Sequence, residues 1–435
     1  MIVYTVQPGD TIYSLAEKFN VPSMRILQQN IIQPNYELIV GQNLVITYPE
    51  QVYYIQTGDT LQSIAEEFGV STIQLLQNNP QISDRDFFYI GEELIIRYAK
   101  DLEKIEVNGY AFSYIDTDIL RKTLPFLTYL SILEYQITAT GDITAPNDTN
   151  IIKIAREYGV APLMMCSTLD VQGRGSYEII HILLSDINIR ENYINNILRV
   201  LKQNDLSGIN FGCQFILKED LQNYINLMAE VKLRLQKEGY LVFITIVPST
   251  YGFAPDGNND STYFYQIGQI ADRVILISYQ WTSASISLVE QTTVKFLDKY
   301  VQYAVTQIPS DKILIGITRV AYDWKAPYTE NESNASLLTN TSALALAYNL
   351  GINILFDEET QTPYYYYTDN NTVNFVWFKD AQTIISILNL INKFNLKGVS
   401  VWSIMDYGPA TWTVINSLKE TEKLSAVSTS MPIPK

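Results

Sequence analysis

The residues best suited to chemistry in this 435-residue chain are carboxylates and aromatic rings, because histidine and cysteine are nearly absent. His181 is the sole histidine, and Cys166 and Cys213 are the only cysteines. A histidine-based zinc site needs several imidazoles, and a Ser-His-Asp triad needs one with partners. His181 lies beside Ile180, Ile182 and Leu183 and reads as part of a helix core. Both cysteines fall in apolar runs and read as buried thiols rather than a disulfide scaffold. Nothing here calls for a metal or a cofactor. Acid–base chemistry is left to carboxylates. Glu134, Asp170, Asp256 and Asp406 each stand near the end of an apolar run that reads as a strand. Phe112, Tyr251, Tyr279, Trp281 and Trp402 lie near such ends as well.

The positioning elements must come from a chain with 47% hydrophobic and 17% charged residues, which can bury a core. At about 150 residues per domain the length suggests three folded units, or two small ones and a barrel. Thirty Lys and Arg against 46 Asp and Glu leave a net charge of −16. That balance argues against nucleic acid, whose binding relies on basic patches, and against an anionic membrane surface. No apolar stretch reaches the ~18 residues of a membrane span. The opening MIVYTVQPGD has neither a basic n-region nor an apolar h-region, so we expect no secretion signal of the usual form.

The first hundred residues repeat. Gly9 matches Gly58 (58 − 9 = 49), as do Ala16 and Ala65, Phe19 and Phe68, and Asn30 and Asn79; Gly41 matches Gly91 (91 − 41 = 50). In each unit a short β run leads into Gly-Asp-Thr, where glycine permits a turn and Asp or Thr can cap the next helix. Ile12, Leu15, Ala16 and Phe19, and likewise Leu61, Ile64, Ala65 and Phe68, then follow helical spacing. A second short helix ends near the Asn, and Gly41-Gln-Asn-Leu-Val-Ile or Gly91-Glu-Glu-Leu-Ile-Ile returns as a strand. The order β-α-α-β, twice, resembles the LysM domain. That resemblance implies two domains, 1–49 and 50–99, binding N-acetylglucosamine glycans of the peptidoglycan or chitin type. The implied site residues are Gly9, Asp10, Thr11, Ile12 and Asn30, then Gly58, Asp59, Thr60, Leu61 and Asn79. Two copies would raise apparent affinity for a polymer.

From residue 104 to 422, β runs alternate with helical stretches, as in a parallel sheet built of βα units. The runs lie near 107–114, 128–135, 161–167, 206–213, 240–247, 273–279, 312–318 and 398–404. Eight strands predict an α/β fold, a TIM barrel, with a small α+β insertion at about 323–380. Residues 424–435 read as a disordered tail.

The phrases Leu127-Thr-Tyr-Leu-Ser, Gly159-Val-Ala-Pro-Leu-Met, Asp272-Arg-Val-Ile-Leu-Ile-Ser-Tyr and Gly398-Val-Ser-Val-Trp follow the two LysM-like units. In that order they resemble the spore-associated family 18 glycoside hydrolases that trim cortex peptidoglycan. In that family the fourth strand carries D-G-x-[DN]-x-D-x-E, whose last Glu is general acid and base. Its chemistry is substrate-assisted, with the acetamido oxygen as nucleophile. Here the strand reads Ser207-Gly-Ile-Asn210-Phe-Gly212-Cys-Gln214. Asn210 is a family variant, but Ser207, Gly212 and Gln214 stand where acids belong. Gln280, after Tyr279, replaces a further Asp. A carboxamide delivers no proton near neutral pH, and general acid catalysis is worth roughly 10²–10⁴ in rate. Tyr279 and Trp402 match family contacts to the sugar, with Trp281 and Gln214 beside them.

These features predict a glycan-binding pseudoenzyme. Two alternatives are an active N-acetylglucosaminidase with relocated carboxylates, and a self-assembling spore-layer protein in contact with other layer proteins. The resemblance further implies synthesis in the mother-cell cytoplasm and deposition on the spore surface or envelope.

Overall fold

The computed structural model describes residues 1–32, 35, 37–83, 87–99, 102–167, 176–212, 216–248, 261–278, 293–326 and 335–424. In the first repeat, strands β1 (Ile2–Thr5) and β2 (Asn43–Ile46) pair antiparallel around helices α1 (Ile12–Phe19) and α2 (Ser23–Gln29). The second repeats this with β3 (Gln51–Tyr54), β4 (Glu93–Arg97), α3 (Leu61–Phe68) and α4 (Thr72–Asn78). The Gly-Asp-Thr turns form for the reason the sequence suggests. Gly9 and Gly58 take φ of +89° and +90°, open to glycine at no steric cost. Thr11 and Thr60 then cap α1 and α3 in reciprocal boxes with Ser14 and Ser63.

The barrel closes through eight parallel strands. They are β5 (Lys104–Phe112), β6 (Tyr129–Ile137), β8 (Ala161–Ser167), β9 (Gly208–Phe211), β10 (Leu241–Ile246), β11 (Arg273–Leu276), β12 (Ile313–Thr318) and β18 (Gly398–Trp402), and β18 pairs back to β5. Short β7 (Ile143–Thr144) and β19 (Glu420–Thr421) extend its edges. Strand alternation divides the residues cleanly. Val107, Ile132, Met164, Ile209, Ile244 and Val399 pack outward into the main core with the helices. Tyr110, Tyr129, Leu163, Met165, Phe243, Ile275 and Leu314 fill the interior in layers. Near the start of β5, Glu106 is 1% exposed, and Arg273 donates to both of its oxygens at 2.5 and 2.6 Å.

The insertion is a five-stranded antiparallel sheet: β13 (Val320–Lys325), β14 (Ser336–Thr339), β15 (Leu355–Asp357), β16 (Thr362–Asp369) and β17 (Thr372–Trp377), in order 14-13-17-16-15. Helix Asn340–Asn349 packs on one face. That face also receives the first repeat. Ile39 joins the Ala343, Tyr365, Val376 and Phe378 cluster, Ile354 N donates to Val40 O at 2.9 Å, and Asn43 Nδ2 donates to Asp380 Oδ2 at 2.7 Å. Gly41, at φ +86°, must be glycine: a Cβ there would sit 1.8 Å from Ile354 O. The second repeat is anchored elsewhere, by Gln77 Nε2 to Pro125 O and Asn416 Nδ2 to Asn78 Oδ1, both at 2.7 Å.

Two buried-residue expectations part ways. Cys166 is 2% exposed and its thiol is pushed up to about 12 by burial, so it is inert. His181 is not core. Its helix, Tyr177–Ser185, buries Ile180, Leu183 and Leu184, and position 181 points away to solvent, where Nδ1 meets Asp220 Oδ2 at 2.9 Å. Ile182 is only half-buried beside it, so apolar neighbours in sequence did not mean apolar neighbours in space. Cys213 and the tail from 425 lie outside the described residues.

Candidate functional site

Each repeat offers a turn and a facing loop. Asp10 Oδ2 accepts from Tyr4 OH at 2.8 Å and from the Gln7 amide at 2.7 Å; Asp59 does the same with Tyr53 and Gln56. Ile12 and Leu61 are core. Asn30 and Asn79 are 4% and 1% exposed. The Asn30 amide donates to Ile26 O and Val45 O and accepts from Val45 N; the Asn79 amide bridges Leu75 O, Ile95 O and Ile95 N likewise. These side chains tie helix end to strand and hold the loop in place. The surfaces left for a ligand are Gly9 and Thr11, and Gly58 and Thr60.

Inside the barrel the decisive position is Asn210, fully buried on β9. Its Oδ1 accepts from Thr245 Oγ1 at 2.9 Å, and its Nδ2 donates to Ser131 Oγ at 3.1 Å and to Tyr110 OH at 3.4 Å. Ser131 Oγ donates to Asn108 Oδ1 at 2.9 Å, and Asn108 Nδ2 donates to Ser400 Oγ at 2.8 Å. Burial holds the Tyr110 hydroxyl above its ordinary range. Among the described residues the hydrogen bonds that link β5, β6, β9, β10 and β18 run through amides and hydroxyls. Asn108, Ser131, Thr245 and Ser400 were not singled out from sequence. They were discoverable as polar residues at inward parity in otherwise apolar strands.

Above this layer, Trp402 packs edge-on to Tyr110 at 5.2 Å and to Phe112 at 6.3 Å, and is 7% exposed. Phe112 stacks on exposed Tyr114 at 5.4 Å. Gly212 follows β9 and is buried; Ser207 precedes it, half-buried, its amide donating to Pro162 O at 2.7 Å. Of the carboxylate candidates, Glu134 is half-buried at the C-terminal part of β6. Asp406 is the counter-ion of buried Arg319, Nη2 to Oδ2 at 2.9 Å. Gln214, Tyr251, Tyr279, Gln280, Trp281, Asp170 and Asp256 lie outside the described residues. Among the described residues no group of three or more His, Cys, Asp or Glu could hold a metal ion, and no helix is long and apolar enough to cross a membrane.

The family model described as glycosyl hydrolases family 18 matches residues 168–406. The chain belongs to that family. LysM domain models match residues 4–47 and 53–97, so two LysM domains precede the family 18 barrel. A "cortical fragment-lytic enzyme" of Bacillus anthracis is 32% identical over 421 residues, covering 95% of this chain and 97% of the relative. Among solved structures, the Bacillus megaterium QM B1551 spore cortex-lytic enzyme SleL superposes with TM-score 0.78 at 27% identity, covering 97% of this chain and 99% of that one. The Bacillus cereus SleL structure gives 0.76 at 27% identity, with 98% and 99% covered.

Proposed function

We propose that the chain is a spore-associated protein that binds N-acetylglucosamine glycan of the peptidoglycan or chitin type and does not hydrolyse it. Two LysM domains, and relatives named for cortex and cortical-fragment lysis, support the ligand class and a place in the spore envelope. The observation that carries the loss of hydrolysis is in the sequence, where Gln214 stands at the position of the family's general acid. By the family resemblance, Ser207, Gly212, Gln214 and Gln280 stand at acid positions of the motif. Substrate-assisted hydrolysis needs one protein acid to protonate the leaving oxygen. Gln214 keeps the shape of that acid and lacks its proton.

The test is to incubate the full chain with muropeptides and with chitin oligomers, scoring binding and cleavage separately. Binding without cleavage is expected. Cleavage that vanishes in Glu134→Gln would replace this reading with that of a hydrolase using a relocated acid.

One observation favours an added structural role. The face of the insertion sheet opposite the helix Asn340–Asn349 carries Leu337, Tyr322, Trp377, Tyr364 and Leu355 in one cross-strand row, buried at Tyr322 and open at its ends, with Tyr366 beside Phe375 in the next. Leu337, Leu355 and Tyr366 are 43%, 48% and 53% exposed. Such a face suits contact between copies or with other layer proteins. Sedimentation velocity should show concentration-dependent association that Tyr366→Asp weakens; a monomer at every concentration removes this role.

A further inference from the structure

The two LysM domains leave a cleft of about 680 Å³ between them. One wall is α2 of the first domain. The other is the β3–β4 ladder of the second domain with both ends of its loop before β4, and Thr413 of the helix Pro409–Leu418 also contributes. The ladder face concerned is not the one that carries the domain core. Tyr53 turns inward and packs its ring on Phe68 at 5.2 Å, so Tyr54, next along the strand, points the opposite way, into the cleft.

Polar posts fix the width. Arg25, 9% exposed, donates from Nε and Nη2 to Glu93 Oε1 at 3.1 and 2.5 Å, joining α2 to β4. Gln29 Nε2 donates to Tyr98 OH at 2.8 Å while its Oε1 accepts from Thr47 Oγ1 at 2.8 Å. The helix Pro409–Leu418 touches both α2 and α4 from the barrel side. The space is therefore built in advance of any occupant, which lowers the entropic cost of filling it. Its size falls within the ~300–1,000 Å³ usual for small-ligand sites.

The lining selects a chemistry. Tyr54 and Tyr89 are 53% and 58% exposed. Gln28 and Gln81 are half-buried, and neither amide has a hydrogen bond among the described residues. Arg25 is neutralised by Glu93, so an anion finds no spare cation there. Two rings for apolar ring faces, with two amides for hydroxyl and acetamido groups, describe a neutral N-acetylated sugar. The sequence adds an independent sign. At the equivalent positions of the first repeat stand Thr5 (54 − 49) and Ile39 (89 − 50), although the core positions of the repeats agree. The two tyrosines are thus not demanded by the LysM core.

We propose that this cleft is a carbohydrate site separate from the Gly-Asp-Thr grooves, holding about two residues of an N-acetylated glycan. It rests on the glycan-binding reading above and gives that reading a second place on the molecule, one that grips both domains at once.

Titration of the full chain by calorimetry with chitin tetramer and with a disaccharide muropeptide tests it. Tyr54→Ala and Tyr89→Ala should each weaken binding of the tetramer about three- to tenfold, with melting temperature unchanged. Tyr54→Phe, which keeps the ring, should stay within about twofold of the unmodified chain. If the unmodified chain binds and both alanine variants bind equally well, the cleft is not a glycan site and the general reading stands. If the unmodified chain binds neither sugar, the general reading falls and this inference with it.

Discussion

Thr245 Oγ1 donates to Asn210 Oδ1 across 2.9 Å, from β10 to β9, and this single bond fixes which way the Asn210 amide faces. With its oxygen toward Thr245, its nitrogen must point at Ser131 Oγ and Tyr110 OH, whose protons are engaged with Asn108 Oδ1 and available to Thr245 Oγ1. The position is therefore matched to a carboxamide.

Asn210→Asp should destabilise the protein by about 1–3 kcal/mol, because the new oxygen faces acceptors where a donor stood. Urea unfolding at pH 7 measures it. A variant as stable as the original would mean that the hydroxyl protons reorganise freely around a carboxylate.

Restoring acids should act as a unit. Gln214→Glu alone supplies a proton donor but leaves the acetamido group unoriented, so turnover should stay at background. Gly212→Asp with Gln214→Glu and Gln280→Asp should gain measurable cleavage of N-acetylglucosamine oligomers, far beyond the sum of the single changes. The triple variant needs a folding check first, since an unpaired buried carboxylate at 212 costs about 1–3 kcal/mol. A folded triple variant with no activity would show that the cleft geometry, and not only its acids, has diverged.

Asn79 and Thr60 should separate in a denaturation experiment. Asn79→Ala strands the Ile95 amide and leaves two buried carbonyls short of a donor, a loss of about 2–4 kcal/mol. Thr60→Ala removes an exposed cap, worth about 1 kcal/mol. Hydrogen exchange at the Ile95 amide should accelerate only in the first variant; equal protection in both would contradict the tie.

Lys379 carries an alkaline signature. Burial lowers its ammonium to about 8, while the unfolded chain keeps the proton to about 10.5. Below about pH 8 both states are protonated and the folded state bears the full desolvation cost. Between these values the unfolded chain binds more protons, so stability rises with pH, by on the order of 3 kcal/mol. Melting temperatures from pH 7.5 to 10 should show that rise relative to Lys379→Met, which should also be the more stable form at pH 7.5. Burial raises the Asp380 carboxyl as well, so the comparison with Lys379→Met, which leaves Asp380 in place, is what isolates the lysine. Parallel profiles would refute the assignment.

The eight barrel strands and the paired repeats were legible because each is written in local periodicity: apolar runs bounded by turns, and a unit recurring at 49 residues. Asn210 was found through its motif. Its partners were not, because hydrogen bonds among five strands depend on register, which no single strand reveals. The exposure of His181 was missed since flanking isoleucines mask a one-residue rotation of 100° around the helix. The seat of Ile39 against Phe378 joins segments more than 300 residues apart, and the sequence around Ile39 looks like an ordinary loop.

The Ile354 amide donates to Val40 O while Gly41 is pressed against the Ile354 carbonyl, so the first LysM domain is seated directly on the insertion of the barrel. The chain therefore has a heading. A glycan strand gripped by the LysM domains dictates the direction in which the mouth of the barrel looks, and neighbouring molecules on aligned strands would all look the same way. Under the proposed glycan binding, adsorption to an ordered wall would turn the same face of every molecule outward.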